Sequence, residues 1–126
     1  MDLKKVVFKT DKRNIELTCE VAKTFTEKAK GLMHRENLGK NMGMIFTFAF
    51  PWYHFFWMKS VKIPLDIIFV NSKNKIIKIH EANVEKGFCY KMYGSHGLCK
   101  HVIETNMGFC KENNITKNDY IDIIKK

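Results

Sequence analysis

Apolar and polar residues alternate through much of this chain, and the alternation predicts strands before anything else is known. Ile15, Leu17, Cys19 and Val21 fall on one face at period two, opposite Glu16, Glu20 and Ala22, which is the pattern of a half-buried strand. A weaker alternation over Lys4 to Lys9 precedes it. The clearest case is MIFTFAF, with Phe46, Phe48 and Phe50 on one face and Ile45, Thr47 and Ala49 on the other. Pro51 is expected to break that strand, and YHFFWMK to resume as a second one, apolar on both faces. LDIIFV, KIIKIHEA, HVIETN and DYIDII complete the set, with Asn71-Ser72-Lys73-Asn74 as a turn.

Helical signals are few. Thr24 and Glu27 have capping-box spacing, so a short helix should begin there and stop at Gly31, leaving Leu32 and Met33 to enter the core. Gly108–Asn114 reads as one helical turn. Asn83–Lys100, with Gly87, Gly94 and Gly97, reads as an irregular loop. About eight short strands on short connections predict a mainly β single domain over 1–126. Its strands should pair antiparallel in a sandwich or barrel, with one or two short helices.

Composition supports a globular chain and narrows its partners. At 126 residues it suits one core, and a hydrophobic share of 45% argues against disorder. The net charge of +9 comes almost wholly from lysine, Arg13 and Arg35 being the arginines. Fork-shaped guanidinium recognition of phosphates and base edges is therefore scarce, and specific nucleic-acid binding is not expected. Asn41 to Met58 carries no formal charge but is short for a membrane span and has Pro51 in its middle. No secretory h-region opens the chain, so a cytoplasmic location off the membrane is expected. A monomer without cofactor is expected too. Cys19, Cys89, Cys99 and Cys110 then read as free, buried thiols.

Phosphate-loop, dinucleotide-binding, GxSxG and HExxH motifs are absent. Cys89, His96, Cys99 and His101 offer zinc-compatible donors, but without the paired spacing of a structural site. The same loop holds the atoms of a Cys–His nucleophile pair. Met33, Met44 and Met58 with the surrounding Phe side chains suit a core, while Trp57 needs a partner for its indole N–H if buried. Asp66 in PLDIIF and Glu104 in VIETN would need pairing if they turned inward. Lys59 and Arg35 are the natural partners. Such a set is either a structural ion-pair network or a cleft of charged groups on an apolar floor.

Five stretches, GLMHR (31–35), GMIFTF (43–48), FFWMKS (55–60), IPLDIIFV (63–70) and VIETNMG (102–108), stand in the order and spacing of a known signature. By them the chain resembles domain-of-unknown-function family 192 over about residues 17 to 124. The resemblance implies a compact, jelly-roll-like β domain and no established activity. Its polar signature positions fall on Arg35, Lys59, Asp66 and Glu104, with Trp57 as an apolar companion. Two departures stand out: Ser60-Val61 replaces Asn-Thr, and Asn118-Asp119 replaces Gly-Asp while staying turn-competent. The Cys/His loop lies outside the pattern. The expectation is a binding domain for a small polar or anionic ligand, or a protein partner, with Arg35, Trp57, Lys59, Asp66 and Glu104 at the site. A hydrolase-like enzyme with Asp66 or Glu104 as base, a lysine-driven nucleic-acid binder and a zinc protein are the alternatives.

Overall fold

The computed structural model describes residues 1–125. Nine strands and two short helices follow one another as β1 (Leu3–Lys9), β2 (Asn14–Ala22), α1 (Phe25–Lys30), β3 (Met42–Trp52), β4 (Phe55–Phe56), β5 (Leu65–Val70), β6 (Ile76–Ala82), β7 (Tyr93–Gly94), β8 (Cys99–Asn106), α2 (Phe109–Glu112) and β9 (Tyr120–Lys125). Seven strands form one sheet in the order β6-β5-β8-β3-β2-β1-β9, and β4 and β7 form a separate ribbon. The sheet curls until its edge strands meet at one end. There Lys75 bridges to Tyr120, and the Ile76 amide donates to the Asp119 carbonyl at 2.8 Å. The class is mainly β, as expected, in the form of a curled half-barrel. Among the described residues no helix is long and apolar enough to cross a membrane.

Two expectations about strands need correction. β2 and β3 pair in parallel, from Thr18 opposite Met42 to Ala22 opposite Phe46, not antiparallel. Residues 23–41 give the chain the dozen or more residues a parallel crossover needs, and α1 sits within them. Nor does Pro51 end β3, which continues to Trp52. The ladder with β8 shifts register between Thr47 and Trp52, so the missing proline N–H falls where the pairing is already irregular.

Period-two alternation divides the core between the sheet's two faces. One face gathers Leu17, Cys19, Val21, Ile45, Ile68, Val70 and Ile103 with Val6, Phe8 and Ile121, and α2 closes it with Phe109 and Cys110. The opposite face gathers Met44, Phe46, Leu65, Ile67, Phe69 and Val102, covered by Leu32, Met58, Val61 and Tyr93. The run expected as a two-sided core strand, YHFFWMK, is largely surface: only Phe55–Phe56 pair, Phe55 is 63% exposed and Trp57 43%.

Candidate functional site

The second face is incompletely covered, and a cleft opens there between α1 and the sheet. Thr24 caps α1 as its spacing predicted: its hydroxyl accepts from the Glu27 amide at 3.0 Å, and the Glu27 carboxylate accepts from the Thr24 amide at 3.1 Å. The Lys23 amide, donating to the same carboxylate at 2.9 Å, and then the Thr24 amide hold the Glu27 carboxyl below its usual range. No α1 side chain is buried, so the residues after the helix must seat it. Leu32, 1% exposed, is the anchor. Gly31 makes the turn at φ 50°, and an added Cβ would stand 3.4 Å from Phe46 Cζ and 3.6 Å from Glu104 Oε1. The backbone thus lies directly on the cleft floor, in a conformation that favours glycine.

The cleft holds about 550 Å³. Phe46, Phe48 and Phe56 wall it, Phe25, Phe55 and Trp57 stand at its rim, and Glu104 lies at its floor. Phe46 and Phe56 meet edge to face at 5.1 Å. Glu104 is 4% exposed, and no donor or cation among the described residues reaches its carboxyl. Burial alone pushes it up to about 8, so the acid form dominates near neutrality when nothing is bound.

His54 shares the cleft. Its ring stacks on Phe48 at 3.6 Å, its amide donates to Ser95 Oγ at 3.1 Å, and its Nε2 is buried without a partner. Burial, then the Lys28 charge, holds its pKa down, keeping the ring neutral. Lys28 itself lies over Phe48, 5.2 Å from the ring centre, and Lys30 also lines the cleft.

The five expected site residues do not converge. Glu104 and Trp57 line the cleft; Arg35, Lys59 and Asp66 do not. The expected pairing of Arg35 and Lys59 with Asp66 and Glu104 is not formed. Arg35 makes a forked pair with Glu20 of β2, one arm at 2.9 Å, which lowers the Glu20 pKa and ties the segment after α1 to the sheet. Lys59 lies over the Trp57 ring at 5.3 Å. Asp66 faces the other side of the sheet, accepting from the amides of Cys110 at 2.9 Å and Gly108 at 3.4 Å. Burial raises its pKa, and these two bonds work against the rise.

Next to Lys59, Ser60 holds φ at 60°, and its carbonyl accepts from the His34 amide at 2.8 Å. Asn tolerates that left-handed position better than Ser, which gives the signature's usual Asn a conformational reason. Asn118 likewise sits at φ 81°, the turn its side chain was expected to allow.

The zinc alternative finds no support in the placement of its residues. Cys99 is buried and Cys89 exposed, both free, and His101 Nδ1 bonds Thr47 Oγ1 at 2.9 Å, with burial driving its pKa down to about 4. His96 packs on His80 instead. Among the described residues no three His, Cys, Asp or Glu side chains gather as a metal would require. Burial raises the Cys19 thiol to about 12 and Cys99 to about 11, so neither is a ready nucleophile. His54, Gly31 and Phe25 escaped the sequence reading as site residues. The signals were slight: Gly31 opens the GLMHR stretch and His54 directly precedes FFWMKS, while nothing in the sequence marks Phe25.

The fold and cleft define a small half-barrel β domain with an aromatic-walled pocket on one face of its sheet. The chain belongs to DUF192, described as Uncharacterized ACR, whose family model matches residues 6–123. Two crystal structures are close in fold. A candidate transcription regulator from Sinorhizobium meliloti 1021 is 28% identical with a TM-score of 0.89, over 96% of this chain and 93% of that one. A protein of unknown function from Novosphingobium aromaticivorans DSM 12444 is 31% identical with a TM-score of 0.88, over 95% and 84%. No curated protein matches the chain.

Proposed function

We propose that this chain is a small-molecule-binding domain whose ligand seats in the cleft beneath α1, with Glu104 as the polar contact at the floor. The observation that carries this reading is the Glu104 carboxyl itself, buried in an apolar cleft with no protein partner. Buried polar groups are costly when unpaired, and a pocket with apolar walls and few convergent polar groups is the usual form of a ligand site. Signature stretches contribute Gly31, Phe46, Trp57 and Glu104 to this one cleft, although they are far apart in sequence. An anionic group on the ligand would meet Lys28 and Lys30 at the mouth rather than Arg35 and Lys59. The description of the Sinorhizobium protein raises a nucleic-acid reading. Helices of six and four residues are poorly suited to lie along a major groove, and we favour the ligand.

A thermal-shift screen of a few hundred small molecules against the full chain tests this. Stabilising hits should be weakened by Trp57→Ala and Glu104→Gln and kept by Arg35→Ala and Lys59→Ala. Hits indifferent to the first pair would overturn the reading.

A second reading makes Glu104 a general acid or base, favoured by a carboxyl raised to about 8, where proton transfer at neutral pH is efficient. Asp66 is not available for that role, because two backbone amides hold it on the other face. Turnover of a bound hit with a pH profile that Glu104→Gln abolishes would favour catalysis, and binding without turnover would exclude it for that hit.

A further inference from the structure

The polar group at the floor of the cleft is the Glu104 carboxyl, without a protein partner among the described residues, while the donors that line the cleft belong to Lys28 and Lys30 of α1 and to the exposed Trp57. As the acid, Glu104 carries one O–H donor, and once ionised it accepts through both oxygens. His54 also lines the cleft, but its Nε2 is closed off from solvent and stays out of reach of a guest. The walls around the Glu104 carboxyl include the rings of Phe46, Phe56 and Trp57. A ligand group that satisfies such a site must bring several N–H donors, tolerate aromatic walls and supply the charge that a buried carboxylate lacks. A hydroxyl or a neutral amide brings one or two donors and no charge. An ammonium brings three donors and a full positive charge, and ring faces attract it.

We propose that the ligand head group reaching the floor of this cleft is an organic ammonium, received by Glu104 between the Phe46, Phe56 and Trp57 rings. The inference rests on the small-molecule reading above and names its ligand class. Binding transfers no atoms except one proton: below pH 8 the Glu104 acid gives its proton to the buffer as the ammonium takes its place. Affinity for the cation should therefore rise with pH from 6 to about 8 and then level. The charged and titratable groups bordering this site are Glu104 of β8, His54 between β3 and β4, and Lys28 and Lys30 of α1. The Arg35–Glu20 pair at β2 is internally neutralised, and Asp66 of β5 faces away. Lys28 is held over Phe48 and neither lysine forms a salt bridge with Glu104, so the α1 cations leave the floor to a guest.

Three isosteric probes decide the matter: phenethylammonium, 2-phenylethanol and phenylacetate, titrated calorimetrically into the full chain at pH 6.5 and 8. The ammonium should bind at least about tenfold more tightly than the alcohol at pH 8, and the carboxylate most weakly. At pH 6.5 its binding should release close to one proton, read from buffers of different ionisation heat. Glu104→Gln should reduce ammonium affinity to that of the alcohol and abolish proton release. Trp57→Ala, at an exposed position, should lower it about threefold and guards against a misfolded Gln variant. Equal affinity for alcohol and ammonium, or a preference that survives Glu104→Gln, sinks the ammonium inference and leaves the small-molecule reading standing. If none of the three binds and a soaked crystal shows nothing in the cleft, both fall.

Discussion

Asp66 and Glu104 stand on adjacent strands, and the sheet treats them in opposite ways. In the β5–β8 ladder Asp66 lies opposite Thr105 and Glu104 opposite Ile67, so the two carboxyls are one residue out of phase and leave by different faces. Each is almost wholly buried. Asp66 meets the start of α2, where two amides left free by the helix geometry donate to it. Glu104 meets the turn after α1, where Gly31 presents no side chain and no donor arrives. One face uses its acid to fasten a helical turn onto the core. The other leaves its acid facing an open cleft. A buried acid is therefore not in itself a sign of function; what separates the two is whether the fold has supplied a partner.

The largest test of the contrast is Asp66→Ala. It removes the acceptor for two buried amides and should cost about 3 kcal/mol, read as a lowered denaturation midpoint, with α2 loosened in hydrogen exchange. Glu104→Gln should do the reverse. The folded state keeps a proton on Glu104 that the unfolded chain releases above its ordinary value of 4.5, so this group makes stability fall as pH rises from 4.5 to about 8. His101, depressed to about 4, acts in the opposite sense, and its contribution is complete once pH exceeds 6.5. Between pH 6.5 and 8 the parent chain should thus lose stability that the Gln variant keeps, a difference on the order of 2 kcal/mol at pH 8 in urea melts. A parallel pH response of the two proteins would show that Glu104 has a partner in solution. Thr24→Ala comes next, at about 1 kcal/mol, and because α1 walls the cleft it should weaken ligand binding as well.

Local features were the legible ones. The strand around Leu17 and Cys19, the turn at Asn71–Asn74, the Thr24–Glu27 cap and the helical turn after Gly108 all depend on residues a few positions apart, and alternation or capping chemistry reveals them. The register between β5 and β8 depends on residues some forty positions apart, and one step of register decides whether Asp66 and Glu104 share a site. Glu20 looked like an ordinary outward residue of β2, with nothing local to mark it as the partner of Arg35. The aromatic run from Trp52 to Trp57 misled for a related reason. Rings that fill a core and rings that edge a cleft have the same composition, and only the position of α1 separates Phe46 from Phe55.

Lys59→Ala should have the smallest effect, and it sharpens the comparison from the other side. Its ammonium lies 5.3 Å from the exposed Trp57 ring and has no salt bridge among the described residues. An exposed contact of this kind contributes about 0.5 kcal/mol. Were Lys59 the partner of Asp66 or Glu104, its loss would strand a buried charge at several times that cost. A change in unfolding free energy below about 1 kcal/mol, with Trp57 fluorescence altered but ligand affinity reduced no more than about threefold, is the expected outcome. A loss comparable with that of Asp66→Ala would place Lys59 inside one of the two carboxyl sites and undo the separation drawn between them.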